Sequence, residues 1–318
     1  MNSFKRTLTL RNSVFLGMSS MVGAGLFVNI APAAVVSSYS LVFGLLIASI
    51  VAFSNASSSA QLAKLFPEAG GTYLYARKIL GNKYSLVAGI VFIFGKIISS
   101  VAIALTFGNY LFPSSHKIAG AALVVGVLIV SYFGAKKTAS VAKWFVYSVS
   151  GILIFYVLSI VSSESFNFTI PITEGLTIES LLLSSSIWFF AFTGYSRLAT
   201  FGEEVQNPET IIPKAILSGL GITVTLYFLT TYATLGIVDP LIIQNSSTPL
   251  KVAFDLSRFS SFSFLISIAS TIASASVLLA LMPGISRVVV AMSRDRYLPL
   301  TLGKIHHKFN SAYYADIL

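Results

Sequence analysis

Two apolar stretches of this chain carry interruptions where an unbroken helix would otherwise be expected. One falls in MVGAGLF, at Gly23-Ala24-Gly25, and the other at Thr193-Gly194-Tyr195-Ser196. Ionisable residues stand in unusual surroundings nearby: Lys96 inside VFIFGKIISSVAIAL, Arg197 directly after the second interruption, and Glu203-Glu204 just beyond it. A broken helix exposes free N–H groups at the start of its second half and free C=O groups at the end of its first. The N–H end favours anions and the C=O end favours cations. Two such breaks facing each other suit a zwitterion. Gly23 and Gly25 let backbone approach a ligand closely, because no Cβ intervenes. The competing reading is that these glycines merely permit tight helix packing.

The segments that carry these residues are long and apolar. The 318 residues are 55% hydrophobic and only 10% charged, where a soluble domain carries about 25% charged residues. Such a chain belongs in lipid. A helix crossing the ~30 Å hydrocarbon core needs about 20 apolar residues, and eight stretches qualify: roughly 13–36, 39–63, 85–112, 117–134, 141–162, 179–203, 212–236 and 261–292. Backbone in lipid must satisfy its own hydrogen bonds, and the alternation of a β-barrel is absent, so these read as helices. The basic N-terminus is followed by an apolar run too long for a signal sequence, so it is read as a retained first span.

With the N-terminus placed in the cytoplasm, sixteen of the 21 Lys and Arg residues fall on the inner side. Only Lys117, Lys251 and Arg258 fall outside. That asymmetry orients the protein and explains the net charge of +10 without nucleic acid. No cysteine is present, and His116, His306 and His307 lack metal-ligand spacing, so neither a disulfide framework nor a zinc site is expected.

The two interruptions lie in the first and sixth spans, five helices apart. Broken helices at corresponding positions of two repeats point to the binding site of a secondary transporter. An odd number of helices per repeat gives the repeats opposite topology and brings the breaks face to face. This correspondence tips the reading of the glycines from packing towards binding.

At this point the chain resembles a known family. MVGAGLFVNIAPAA, FPEAGGTYLYAR, FFAFTGYSRLATFGEEVQNPETIIPKAI and SRVVVAMSRDRYLP are similar to motifs of the amino acid–polyamine–organocation permeases, in family order. The resemblance implies an all-α integral membrane protein with the leucine-transporter-like inverted-repeat fold. About eight transmembrane helices are present, helices 1 and 6 broken, in a single membrane domain over 1–318. The first five-helix repeat would be 13–162, and 179–318 an incomplete second repeat, so the chain reads as C-terminally truncated. The implied activity is alternating-access transport of amino acids or related amines across the cell membrane, proton-coupled or by exchange. A truncated, non-transporting remnant or substrate sensor is the alternative.

Carried over by position, the backbone of Gly23, Ala24 and Gly25 would bind the substrate carboxylate. Carbonyls of Met21, Phe190, Ala191 and Thr193, beside Gly194, would take the amino group, and Phe190 would be the aromatic lid. Lys96, about halfway along the third span, is a functional candidate because ionisable groups at that depth are costly. It is expected to couple protons or to act as a counter-charge to an acidic substrate. Arg197 would either reach Glu203-Glu204 or counter an acidic substrate group. Many proton-coupled relatives carry a lysine in helix five, where this chain has Val149, or an acid in helix six, where it has Ser196. Sodium, through Thr271, Ser274 and Ser276, is the weaker alternative ion. Glu203, Glu204 and Arg287 are expected to form an inner gate, with Arg11, Lys64 and Arg77 as other possible partners. No cofactor, resident metal or enzymatic constellation is expected. Pro283-Gly284 should kink the eighth span, and 248–258 should form an amphipathic helix on the outer surface.

Overall fold

The computed structural model describes residues 4–317 except 170 and 172. Among them regular structure is helical, and extended pairing is limited to two isolated bridges, Leu8 with Val205 and Ala69 with Phe201. The first span is split into α1 (Leu10–Ser19) and α2 (Ala24–Ser37). There follow α3 (Leu41–Leu65), the short α4 (Thr72–Leu80), α5 (Asn82–Leu111), α6 (His116–Tyr132) and α7 (Ala135–Val161). The sixth span is α8 (Ile178–Phe192), continued by a 3-10 segment, Thr193–Thr200. Then come α9 (Pro208–Leu235), the short α10 (Pro240–Ile243) and α11 (Pro249–Asp255), α12 (Phe264–Arg294) and α13 (Tyr313–Ile317).

All eight expected crossings have a helical counterpart. By length and composition alone, five described stretches could cross a membrane: Gly25–Leu65, Asn82–Gly108, Ala135–Val161, Pro208–Leu235 and Ser260–Arg294. The others fall short for physical reasons. Breakage leaves α1 and α8 only 10 and 15 residues long, and α6 has 17, whereas the 14-residue α2 runs into α3 within Gly25–Leu65.

Local sequence sets the boundaries. Thr177 and Ser180 form a reciprocal capping box at the start of α8. The seventh span begins at Pro208 rather than near 212, because proline fits the first helical turn, where its missing N–H costs nothing. Pro283 leaves α12 continuous as a helix, and its carbonyl accepts from the Arg287 guanidinium at 3.1 Å. Residues Pro249–Asp255 do form a helix, which buries Leu250, Ala253 and Phe254.

Packing separates lipid-facing from protein-facing sides. On α5, Val87, Val91, Phe94 and Ile98 recur every three or four residues and are all exposed, an apolar stripe that water would not tolerate at this size. On α3, Ala48, Ala52, Ala56, Ala60 and Ala63 form the opposite kind of stripe, small and buried. It allows α8 and α9 to lie close against α3. Gly44 belongs to this seam, since an added Cβ would sit 2.2 Å from Ser184 Oγ. The broken first span occupies the middle of the bundle: α1 packs against α7, α9 and α12, and α2 against α8.

Candidate functional site

The first break is a turn over Ser20–Gly23. The N–H groups of Met21 and Val22 both return to the Met18 carbonyl, at 2.9 and 2.7 Å. Gly23 is extended, and α2 starts afresh at Ala24. Helical N–H groups at Ala24 and Gly25 therefore lack intrahelical carbonyl partners, as in any first turn. The expected interruption at 23–25 thus lies slightly earlier in the chain, and Ala24 and Gly25 head the second half-helix.

The second break is a change of helix type. After Phe192 the chain tightens into a 3-10 helix, with Thr193 N–H and hydroxyl both directed to the Phe190 carbonyl, the hydroxyl at 2.9 Å. The two breaks touch. Ser20 Oγ donates to the Gly194 carbonyl at 2.8 Å, shared with the Gly17 carbonyl at 2.6 Å. A Cβ on Gly194 would lie 2.1 Å from the Ser20 carbonyl oxygen, and one on Gly25 would lie 2.8 Å from Ala191 Cβ. Glycine is required at both positions by this approach.

Gly23 behaves differently. Its missing Cβ makes room for Val277 of α12, whose Cγ2 would otherwise be 1.9 Å away. It is absent from the cavity described next, so packing is what its side chain's absence serves.

A cavity of about 50 Å³ lies at the junction. Ser20, Met21 and Gly25 line it from the first break, and Phe190, Ala191, Thr193 and Gly194 from the second. Lys96 reaches it from α5, Arg197 from the 3-10 segment, and Val277 and Leu281 from α12. A water needs about 10–15 Å³ of such space, so the cavity has room for a few waters and must widen to take an amino acid. Phe190, the expected lid, is 58% exposed. The Met21 carbonyl accepts from the buried Tyr227 hydroxyl of α9 at 2.5 Å. Tyr227 was not foreseen from sequence, because a tyrosine in TVTLYFLTT looks like any aromatic in a span.

The ionisable residues sort into two groups. Lys96 is half-buried, with no side-chain hydrogen bond or ion pair among the described residues. Arg197 is 3% exposed, and its Nε and Nη1 have no hydrogen-bond partner among the described residues. Its guanidinium lies 5.7 Å from the centre of the Phe92 ring. Arg197 does not reach Glu203-Glu204, because both carboxylates are taken.

Glu204 is fully buried and accepts from Arg287 Nε at 2.8 Å and Nη2 at 3.3 Å. Arg287 also lies 3.9 Å from Asp316, and its guanidinium lies 5.1 and 4.9 Å from the ring centres of Phe4 and Phe201. Glu203 lies beyond the sixth span, in the connection after Thr200. It pairs with Arg294, Nη1 meeting one oxygen and Nη2 the other at 3.1 Å. It also accepts the N–H groups of Phe4 and Ala69, both at 3.4 Å. Burial pushes this carboxyl up, but Arg294 and the two N–H groups outweigh it and hold it below its ordinary value. Arg294 was missed as the partner of Glu203. Of the other cations considered, Arg77 pairs with Asp295 and Arg11 donates to the Tyr147 hydroxyl at 2.8 Å.

This ionic layer is knitted to the N-terminal segment. Thr7 and Leu8 N–H groups donate to the Glu204 carbonyl at 2.8 and 2.9 Å, and Gln206 N–H returns to Leu8 at 2.9 Å. The hydroxyls of Thr271 and Ser274, considered as sodium ligands, donate back to carbonyls of their own helix at 2.8 and 3.0 Å.

Comparison with known proteins gives this geometry a context. A family model described as amino acid permease matches residues 12–318. An uncharacterized transporter of Mycobacterium tuberculosis is 35% identical over 322 residues, covering 100% of this chain and 72% of the relative. A branched-chain amino acid permease of Bacillus subtilis is 23% identical over 338 residues, covering 98% of this chain and 72% of the relative. Among solved structures, MhsT in complex with L-phenylalanine superposes with a TM-score of 0.71 at 14% identity, over 100% of this chain and 78% of that one. The arrangement is the leucine-transporter-like inverted-repeat fold.

Proposed function

The chain belongs to the amino acid permease family, and from that premise we propose that it is a secondary active transporter of amino acids or related amines. It is a multi-pass membrane transport protein rather than an enzyme. In this reading it sits in the cell membrane with its N-terminus cytoplasmic, as the distribution of Lys and Arg favours.

The observation that carries the reading is the contact between the two breaks, Ser20 against Gly194, with a cavity at the junction. The substrate carboxylate is received by the free N–H groups at Ala24 and Gly25, at the N-terminus of the 14-residue α2. The amino group meets carbonyls at the C-terminal end of α8. Of the carbonyls expected to share this task, those of Phe190 and Met21 already accept one hydroxyl each. Each oxygen keeps a second lone pair for the ligand. Phe190, at the mouth, swings over the substrate as the cavity widens.

In this reading the ion pairs beyond the sixth span, one buried and one partly buried, form the inner gate. Glu204–Arg287 and Glu203–Arg294 join the segment after the sixth span to α12. Separating those segments exposes a path only if both pairs open. Lys96 is the residue placed to couple proton movement to substrate, and exchange of one amino acid for another is the uncoupled form of the same cycle.

The test is uptake of labelled amino acids into proteoliposomes containing the full chain, at varied pH and sodium. Saturable uptake that accelerates with unlabelled amino acid inside supports the proposal. Binding without flux would instead favour a substrate sensor, and neither binding nor flux would overturn both.

A further inference from the structure

We propose that the substrate carries an additional negative charge, that is, an acidic amino acid whose side-chain carboxylate is held by Arg197 and Lys96. This rests on reading the cavity between the breaks as the substrate site.

The argument begins with charge balance. Both cations line the cavity, whereas among the described residues no Asp or Glu does. The two nearest acids in the sequence, Glu203 and Glu204, are held by Arg294 and Arg287. Arg197 is thus a guanidinium buried to 3% exposure with two nitrogens that donate to no group among the described residues. Burying a charge without a partner is strongly unfavourable, and a second cation in the same cavity adds repulsion. The Phe92 ring face at 5.7 Å offsets a part of this, but a ring accepts no in-plane N–H bonds.

The unsatisfied chemistry defines what would satisfy it. A guanidinium presents a planar fork that matches a carboxylate bidentately, and an ammonium adds a point charge. The half-helix ends already account for an α-carboxylate and an α-amino group, so the cations are left for a further carboxylate on the side chain. Space is set on the same side: a Cβ on Gly284 of α12 would meet Arg197 Cδ at 2.5 Å, so that helix holds the side chain in place. Lysine or arginine as substrate would put a third cation beside two, which excludes them by repulsion.

The experiment measures binding to the purified full chain by thermal shift and by displacement of labelled glutamate. Glutamate, aspartate, leucine, lysine and succinate are compared, with Arg197→Gln, Arg197→Lys and Lys96→Gln variants. Glutamate or aspartate should bind at least tenfold more tightly than leucine, and lysine should not compete. Succinate, which lacks the amino group, should bind more weakly than either acidic amino acid. Arg197→Gln should weaken the acidic ligands roughly 10- to 100-fold, while its unliganded melting temperature stays level or rises, because an unpaired buried charge is removed. A purely structural arginine would instead give a lower melting temperature and unchanged selectivity. Preference for leucine, with the site otherwise intact, overturns this inference and leaves the transporter reading standing. Absence of binding by all five overturns both. Should Arg197→Gln fail to fold, the structural role is favoured, and the wild-type selectivity order alone still decides the substrate class.

Discussion

Ser20 Oγ reaches across the centre of the bundle to the Gly194 carbonyl at 2.8 Å, joining residues 174 positions apart in the chain. The two donate and accept within the two irregular segments themselves, so this bond reports directly on whether the breaks stay together. Ser20→Ala removes it without adding bulk. Interhelical hydrogen bonds in membranes are worth about 0.6–1.7 kcal/mol, and a loss of stability of that size is expected on unfolding in mild detergent. A variant as stable as wild type would show that the bond is not a tie.

Glycine at the junction is a matter of clearance. Gly194→Ala must force the Ser20 carbonyl away from a 2.1 Å approach, and strain of this kind typically costs about 1–3 kcal/mol. Ligand binding should fall with it, because the cavity is bounded by the same backbone. Gly126 and Gly221 lie in helices with nothing within 4 Å of an added Cβ. Alanine there should be neutral or stabilising by up to about 1 kcal/mol. Equal effects at all three positions, followed by thermal melting, would contradict the close approach.

The Glu204–Arg287 pair is inaccessible to solvent on both sides, each side chain being 1% exposed. Removing one member strands the other. Glu204→Ala should destabilise by about 3–5 kcal/mol, whereas Glu204→Leu combined with Arg287→Met should recover much of that loss. A double variant as unstable as the single would mean that Asp316, 3.9 Å from Arg287, dominates the cluster. If the pair is a gate, the recovered double variant should fold and bind yet leak substrate.

Acid should weaken the neighbouring Glu203–Arg294 pair. The Glu203 carboxyl is lowered in the folded protein, Arg294 and two backbone N–H groups overcoming the effect of burial. A lowered carboxyl contributes stability that is present above its unfolded value and lost as pH falls through the lower folded one. Glu203→Gln should therefore reduce the melting temperature at pH 7 and make progressively less difference below about pH 4. A difference between the two proteins that is constant with pH would remove the ion pair from the explanation.

Much of this arrangement was legible in the sequence, and the reasons are physical. Apolar length alone located α3, α5, α7, α9 and α12, because lipid demands it. The breaks were visible as glycine and small polar residues inside apolar runs, which is also where backbone must leave regular hydrogen bonding. The form of the second break was not visible. Thr193–Thr200 tightens into a 3-10 helix instead of unwinding, and nothing in the residue types distinguishes those outcomes. Partner choice was equally hidden. Glu203 could pair with any of several inner cations, and only the packing of α12 brings Arg294 rather than Arg77 to it. Tyr227 on the Met21 carbonyl is a contact between spans one and seven that no local pattern encodes. Gly23, expected to bring backbone close to a ligand, instead leaves the space of its missing side chain to Val277.

The most direct test of the breaks as the binding site is a cryo-electron microscopy structure of the full chain with whichever amino acid stabilises it most. The α-carboxylate should lie about 2.7–3.2 Å from the N–H groups of Ala24 or Gly25, with the amino group towards the carbonyl end of α8. Density for the amino acid elsewhere in the bundle, with the Ser20–Gly194 junction closed and undisturbed, would contradict it.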